Sequence, residues 1–201
     1  MTRGWPVTLA AGPVGLRPLH RRDRKAWFDV RRRNAEWLRP WEATPPDPRQ
    51  GLPSFPTMVA GLLREARAGR ALPFVVTYDG RLVGQVTVGG IVRGSQWGGH
   101  IGYWIDQSYA GRGIVPTGVA LAADHAFTVL GLHRLEIAMR PENVPSRRVA
   151  EKLGLREEGL AARFLQIQGV YEDHLRYAIT FEEWRARESE LYGRFVVGAT
   201  Y

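Results

Sequence analysis

Two glycines separated by one residue, Gly111 and Gly113, stand between a strand-like run at residues 100–106 and a helix-like run at residues 115–130. A glycine pair at such a junction leaves the first backbone N–H groups of the helix unpaired, at the positive end of the helix dipole. A phosphate or another anion can bind to these groups. The spacing therefore predicts an anion-binding loop over residues 111–114.

Two other phosphate-binding loops do not fit this spacing. The Walker loop needs four residues between its glycines, and the dinucleotide fingerprint needs a third glycine where this chain has Pro116. Pro116 instead suits the first turn of a helix, because proline lacks an N–H group and its φ is fixed near the helical value. A Gly-x-Gly pair is also compatible with an ordinary tight turn, so further residues are needed to support a ligand loop.

A second set of polar residues follows the helix-like run. Glu136 lies in the middle of a strand-like run at residues 134–139, and Asn143 and Ser146 come at the start of a short helix-like run. Asn and Ser are both common N-cap residues, so each has a structural alternative to a chemical role. A carboxylate among apolar neighbours needs a partner or water, so Glu136 fits either an ion pair with arginine or a proton relay.

In this order, these segments resemble the GNAT acetyltransferase superfamily, and within it the RimJ/RimL-like protein N-terminal acetyltransferases. The matching residues are the strand at 100–106, the loop at 111–114, Pro141-Glu142-Asn143 with Ser146, and the exit at 151–155. The resemblance implies an enzyme that transfers acetyl from acetyl-CoA to an amine by direct attack in a ternary complex. It implies the N-terminal α-amine of a protein, such as a ribosomal protein, as the acceptor.

The resemblance also implies the fold. An α/β (α+β) GNAT fold has a central mixed, mostly antiparallel sheet, here of about seven strands, flanked by about four helices. Residues 100–106 and 134–139 would be its splayed strand pair. We expect one domain over residues 1–201, with the resemblance covering residues 14–182 and a C-terminal extension at residues 183–201.

Acetyl-CoA would lie between the splayed strands, with its pantetheine arm on the strand edge and its pyrophosphate on the loop. The implied cofactor-binding residues are Tyr103, Trp104, Ile105, Gly111, Arg112, Gly113, Ile114, Asn143 and Arg147. Many members of the superfamily carry Gln or Arg three residues before the first glycine, where this chain has Ser108. This departure weakens one side-chain contact to phosphate and leaves the backbone loop unaffected.

The implied catalytic residues are Ser146, Asn143 and Glu136. Ser146 would protonate the leaving thiolate, Asn143 would bond the pantetheine arm or a water, and Glu136 would relay a proton through water. Some members place a catalytic glutamate at what is Ala138 here. An α-amine has a pKa of about 7.7–8.0, against about 10.4 for lysine, so an N-terminal amine needs little help from a base.

The acceptor groove is expected beside the first two helices and the loop before the last strand, with Trp37, Trp41 and Asp173 as substrate-binding residues. Trp37 and Trp41 are four residues apart, so on a helix they would share one face. They are expected to fill the core, with lining of a peptide channel as the alternative. Asp173 and Glu42 could attract an ammonium group or simply be solvated.

The composition is typical of one soluble globular domain, with 201 residues, of which 44% are hydrophobic and 24% charged. No apolar run is long enough for a membrane span, so we expect a cytoplasmic protein without a membrane partner. The chain has no cysteine, which excludes disulfides and a cysteine-linked acyl intermediate. Its five histidines show no metal-ligand spacing, so no metal site is expected.

The net charge of +8 is concentrated near the first predicted helix. The basic residues there are Arg17, Arg21, Arg22, Arg24, Lys25, Arg31, Arg32 and Arg33. Such a patch favours contact with ribosomal RNA or steering of an anionic cofactor. Only Lys25 and Lys152 are lysines among 28 basic residues, so the arginines also fit a bias of genome composition.

Two alternative functions stay open at this point. One is acetylation of a small-molecule amine, such as an aminoglycoside or a polyamine, and the other is a non-catalytic acyl-CoA-binding or RNA-binding module. A monomer and a homodimer are both compatible with the sequence.

The remaining patterns predict the elements that position these residues. Helices are predicted over residues 23–38 and 55–68. A strand-turn-strand unit at residues 7–19 precedes them, and a hairpin at residues 72–92 with an Asp79-Gly80 turn follows. Two final strands are predicted at residues 156–168 and 171–180.

Overall fold

The computed structural model describes residues 4–45, 47, 51, 53–187 and 195. Most of the expected extension at residues 183–201 lies outside the described residues. The strands are β1 Leu9–Ala11, β2 Val14–Pro18, β3 Leu72–Tyr78, β4 Arg81–Val92, β5 Gly98–Ile105, β6 Arg134–Met139, β7 Arg156–Ile167 and β8 Val170–Thr180. The α-helices are α1 Arg24–Arg33, α2 Ala35–Leu38, α3 Phe55–Arg67, α4 Ile114–Thr128, α5 Val144–Lys152 and α6 Phe181–Ala186.

The strands form one mixed sheet in the order β1-β2-β3-β4-β5-β6-β8-β7. Only β5 and β6 are parallel within this sheet, and the other neighbouring strands are antiparallel. Asp79 and Gly80, which join β3 to β4, have φ angles of 48° and 75°. Positive φ at both turn residues is the geometry of a two-residue hairpin. The predicted mixed, mostly antiparallel sheet is confirmed, with eight strands in the described chain instead of about seven.

The parallel strands β5 and β6 separate after a short paired segment. Pairing joins Gly98, Gly99 and His100 of β5 to β6. Beyond His100, β5 continues along β4 and β6 continues along β8. The edges that face each other, residues 101–105 of β5 and residues 137–139 of β6, are not paired with one another. We call the opening between them the wedge; it is the predicted splayed strand pair.

Each face of the sheet carries its own hydrophobic cluster. One cluster includes Phe74 of β3 and Leu121 of α4, and the other includes Val75 of β3 with Val30 of α1 and Val59 of α3. Phe74 and Val75 point to opposite faces because side chains alternate along a strand. We call the two sides the α4 face and the α1 face.

Two features of the helices differ from the prediction. The helix predicted over residues 23–38 is interrupted at Asn34, whose φ of −108° and ψ of 12° are not helical, so α2 is separate from α1. The short helix α6 was not predicted, although Thr180 and Glu183 form a capping box at its start. The described chain therefore has six α-helices instead of about four. None of these helices is long and apolar enough to cross a membrane.

Candidate active site

The loop between β5 and α4 presents a row of free backbone N–H groups. Gly111 and Gly113 have φ angles of 77° and 79°, and Gly113 is the N-cap of α4. Such φ angles favour glycine, because a side chain is strained there. The N–H groups of residues 111–114 have no hydrogen-bond acceptor among the described residues. The predicted loop geometry is therefore present, with its donors at the N-terminus of a 15-residue helix.

Arg112 folds back over the turn that precedes the glycines. Its guanidinium donates to the carbonyl oxygen of Ser108 at 2.9 Å and lies 5.1 Å from the ring centre of Tyr109. Its side chain therefore supports the turn, while its backbone N–H lies in the free row. Ser108 donates its own N–H to Asp106 at 3.2 Å.

Asp106, at the end of β5, is the centre of a buried polar cluster that the sequence analysis missed. Asp106 and Asn34 are each 2% exposed. The Asn34 amide donates to the Asp106 carboxylate at 3.0 Å and to Val30 at 2.8 Å, and its oxygen accepts the Gln107 N–H at 2.9 Å. Burial raises the pKa of Asp106, but hydrogen bonds from Arg33, Asn34 and Ser108 more than offset this and lower it. The cluster ties the break between α1 and α2 to the first residues of the loop.

Asn143 and Ser146, at the start of α5, make different contacts. Asn143 is the N-cap, and its side-chain oxygen accepts the Ser146 N–H at 3.2 Å. The Ser146 hydroxyl makes no cap; it lies 2.6 Å from the phenol oxygen of Tyr103. The capping alternative therefore applies to Asn143, and the Ser146 hydroxyl is directed across the wedge.

Tyr103, Trp104 and Ile105 form the unpaired edge of β5, with side chains that alternate between the two faces. Tyr103 reaches α5 on the α4 face, and burial raises its pKa despite its bond to Ser146. Ile105 is buried in the cluster of that face. Trp104 lies on the α1 face, with its ring centre 6.3 Å from that of Trp27.

Glu136 is held by two arginines. Arg134 donates to its carboxylate through Nε at 2.8 Å, and Arg176 of β8 donates to the other oxygen. Burial raises the pKa of Glu136, but these two arginines outweigh it and lower the pKa. This is the ion pair that the sequence left open as the alternative to a proton relay.

The Arg147 side chain contacts the last two strands of the sheet. Its guanidinium interacts with Tyr177 of β8, which raises the pKa of Arg147. Tyr177 in turn donates to Glu157 of β7 at 2.5 Å. The Arg147 guanidinium is therefore engaged by β8, and its role in cofactor binding stays a prediction.

Trp41, one of the expected acceptor residues, lies beside Arg140, which follows β6 at the open end of the wedge. Arg140 donates to the Pro40 carbonyl at 3.3 Å, lies 5.9 Å from the ring centre of Trp41, and forms an ion pair with Glu172 at 3.6 Å. Trp41 is thus at the mouth of the wedge. Asp173 is placed differently: its carboxylate accepts the N–H of Arg163, a residue of β7 with a φ of 48°.

The expected packing of Trp37 and Trp41 in the core is wrong. Both are half-buried, and neither belongs to a hydrophobic cluster of the described residues. The physical reason is that α2 ends at Leu38 and a 3₁₀ turn, Arg39–Trp41, follows, so the two rings do not share a helical face. Leu38 is the buried residue of this segment.

Most cations of the basic patch are bound by carboxylates. Arg31 lies 5.2 Å from the ring centre of Trp104 and pairs with Glu42. The other pairs are Arg17 with Asp23, Lys25 and Arg32 with Asp29, and Arg33 with Asp106. Arg21, Arg22 and Arg24 are exposed and have no ion pair with a described residue. The described residues contain no group of His, Asp or Glu side chains that could hold a metal ion.

Known proteins are similar to this chain in sequence and in architecture. The chain matches the family model of the acetyltransferase (GNAT) domain over residues 14–156. Probable N-acetyltransferase YjcK of Bacillus subtilis is 44% identical over 101 residues, which are 50% of this chain and 56% of that protein. The ribosomal protein uS5-alanine N-acetyltransferase of Escherichia coli is 26% identical over 181 residues, 89% of this chain and 93% of that protein. The structure of Mycobacterium smegmatis RimJ in complex with CoA-disulfide is 41% identical, with a TM-score of 0.87 and 96% of each chain covered.

Proposed function

Because this chain belongs to the GNAT acetyltransferase family and is an acetyl-CoA-dependent N-acetyltransferase, we propose that it acetylates the N-terminal α-amine of a protein, of the ribosomal-protein-alanine type. The similarity to RimJ and to the uS5-alanine enzyme extends over nearly the whole chain and supports this acceptor class. The observation that carries the proposal is the wedge itself, with free N–H groups on one side and arginine-bound carboxylates on the other.

The residues around the wedge fit acetyl-CoA. The free N–H groups of residues 111–114 suit the pyrophosphate, and the unpaired edge of Tyr103, Trp104 and Ile105 suits the amides of the pantetheine arm. Acetyl-CoA, when bound, supplies the acetyl thioester. With the pKa of about 8.5 that is typical of a cysteine thiol, its thiolate is a fair leaving group. Arg112 contributes its N–H, and its guanidinium keeps the turn in place.

Ser146 is the acid of the proposed reaction. Its hydroxyl belongs to a residue that is 9% exposed and is directed across the wedge, where it can give a proton to the departing sulfur. Asn143 supports it from the backbone side, because the cap bond fixes the Ser146 N–H. Asn143 thereby acts through Ser146, in addition to any contact with the pantetheine arm.

The carboxylates near the wedge are weak bases, which favours an acceptor amine that is already partly neutral. Glu136 is bound by Arg134 and Arg176, which lower its pKa and make it a weak base. Glu42 and Glu172 are likewise paired with arginines. For an α-amine with a pKa of about 7.7–8.0, roughly a tenth of the molecules are neutral at pH 7, so water can accept its proton. Lysine or a polyamine, with a higher pKa, would need a stronger base.

The acceptor enters on the α1 face in this proposal. Trp104 and Arg31 lie on that face, and Trp41 with Arg140 lies at the open end of the wedge. Aromatic rings and an arginine suit the apolar parts and carbonyl groups of an extended peptide. Trp37 and Asp173 stay predictions as acceptor residues, and the bond of Asp173 to Arg163 favours a structural role for it.

The test combines binding and turnover. Calorimetric titration with acetyl-CoA would be followed by thiol release with peptides that begin with Ala, Ser or Met, and with aminoglycosides and polyamines in parallel. We expect binding of acetyl-CoA and turnover on peptides alone. Turnover on aminoglycosides or polyamines would move the acceptor to small molecules, and binding without any turnover would favour the non-catalytic alternative.

A further inference from the structure

A short hydrogen bond connects β5, at one edge of the wedge, to α5 on the α4 face. The phenol oxygen of Tyr103, in β5, lies 2.6 Å from Oγ of Ser146 and 3.3 Å from the Ser146 carbonyl oxygen, in α5. The Ser146 residue is 9% exposed. Asn143 fixes the same residue through its N–H at 3.2 Å. Ser146 is therefore held by a separate partner at its backbone and at its side chain.

We propose that Tyr103 is a positioning residue that orients the Ser146 hydroxyl by donating a hydrogen bond to its oxygen. The proposal rests on the proposed function, in which Ser146 is the acid. A serine hydroxyl has one hydrogen and can also accept. When the Tyr103 O–H donates to Oγ, the serine hydrogen is free to point to another acceptor across the wedge.

The surroundings support the phenol as the donor. Both oxygens near the phenol can accept its single hydrogen, and Oγ at 2.6 Å lies closer than the carbonyl oxygen at 3.3 Å. Burial raises the pKa of Tyr103, which keeps the hydroxyl protonated at neutral pH. Phenylalanine would fill the same space without the cost of burying a hydroxyl. Packing alone therefore does not account for the tyrosine.

The test uses Tyr103→Phe, Ser146→Ala and the double variant, with Tyr78→Phe as a matched control. Tyr78 is a half-buried tyrosine of β3 whose ring contacts Tyr109. We expect Tyr103→Phe to lower kcat about tenfold, the value of one hydrogen bond of about 1.4 kcal/mol. The KM of the peptide and the Kd of acetyl-CoA should stay within about twofold, because no binding contact is removed. Tyr78→Phe should leave all three unchanged.

One measurement tests whether the phenol acts through the serine in turnover, and a second tests whether the hydrogen bond forms. The double variant should be no slower than Ser146→Ala, because the phenol acts only through the serine. In urea unfolding of the protein without ligand, the midpoint shift of the double variant should be smaller than the sum of the single shifts. This second measurement does not depend on activity.

The failures of the two proposals are distinguishable. Wild-type kcat in Tyr103→Phe together with a slow Ser146→Ala overturns the positioning role and leaves Ser146 as the acid. Wild-type kcat in both overturns the positioning role together with the acid. Additive urea shifts show that the bond does not form, which overturns the positioning role alone. Absence of turnover in the unmodified protein overturns the proposed function, and the positioning role with it.

Discussion

At the scale of single residues, the two glycines of the loop are the clearest case in which backbone geometry and chemistry need the same residue. Gly113 combines a φ of 79° with open space where a Cβ atom would lie, so conformation, and not crowding, selects glycine there. Gly80, in the β3–β4 turn, has nearly the same φ of 75° and equally open space. A comparison of substitutions at Gly113 and Gly80 therefore separates the stability cost of the backbone angle from any loss of ligand binding.

We expect Gly113→Ala to weaken acetyl-CoA binding by more than about tenfold. The methyl group disfavours the left-handed angle by about 1–2 kcal/mol, and a rotation that relieves the strain would misalign the N–H groups proposed to bind the phosphate. Calorimetry measures the Kd and urea unfolding measures the free energy of unfolding. Gly80→Ala should lose similar stability with unchanged Kd. An unchanged Kd in Gly113→Ala would sink the phosphate-loop assignment.

Glu136 provides a second test at this scale, through Glu136→Gln. Because its carboxylate is bound by two arginines, we expect kcat on Ala-peptides to stay within about threefold of wild type, and the free energy of unfolding at pH 7 to fall by about 1 kcal/mol. The folded-state pKa is lowered, so this stabilisation is present above the unfolded pKa of about 4.3 and is lost as the pH falls through the folded pKa. The stability difference between the variants should therefore shrink in acid. A hundredfold loss of kcat at neutral pH would assign the base role to Glu136.

At the scale of elements, the break between α1 and α2 is stabilised by contacts that the sequence pattern does not reveal. The hydrophobic periodicity predicts one helix over residues 23–38, and the interruption is made by Asn34, which bonds Asp106 and Gln107 more than seventy residues later in the chain. A side-chain bond over that separation leaves no local signal. In contrast, the Asp79-Gly80 turn and the capping box of α6 are local, and the second could have been read from Thr180 and Glu183.

We expect Asn34→Ala to destabilise the protein by about 2 kcal/mol and to raise the Kd of acetyl-CoA. The change removes three hydrogen bonds and leaves the Asp106 carboxylate and the Gln107 N–H short of partners at the start of the loop. Ser54→Ala, which removes the N-cap of α3, should cost about 1 kcal/mol without a change in Kd. Equal effects on Kd would mean that Asn34 acts through general stability alone.

At the scale of the whole molecule, the net charge of +8 suggests a stronger basic surface than the fold presents. Five of the eight cations of the basic patch are paired with carboxylates, and Asp106 and Glu42, which pair with two of them, lie outside the predicted helix. The family, the mixed sheet and the geometry of the glycine loop could be predicted because each depends on local patterns of glycine, polar and apolar residues. The pairs of Arg31 with Glu42 and of Arg33 with Asp106, and the Tyr103–Ser146 bond, could not, because each joins residues of separate elements.

The three cations without a carboxylate partner among the described residues allow a direct test of ribosomal RNA contact. We expect replacement of Arg21, Arg22 and Arg24 by Gln to lower the salt dependence of RNA binding, with the slope of log K against log salt reduced by about two to three. Turnover on a short peptide should be unchanged. Replacement of Arg81, Arg148 and Lys152, which are exposed elsewhere, is the charge-matched control. If the slope of log K against log salt is the same in the patch variant and in the control variant, the patch does not contact RNA.

The short pairing of β5 with β6 places an open strand edge in the interior of the sheet instead of at its rim. Edges at a rim attract strands from other chains, and proteins must protect them from such association. This edge is protected by its surroundings, because α4 packs against β5 and α5 packs against β6 and α4. An opening between two strands of one sheet suits a slender, extended molecule with amide groups better than a folded protein or a second sheet. The width of the wedge thus limits the thickness of a ligand, independently of the side chains that contact it.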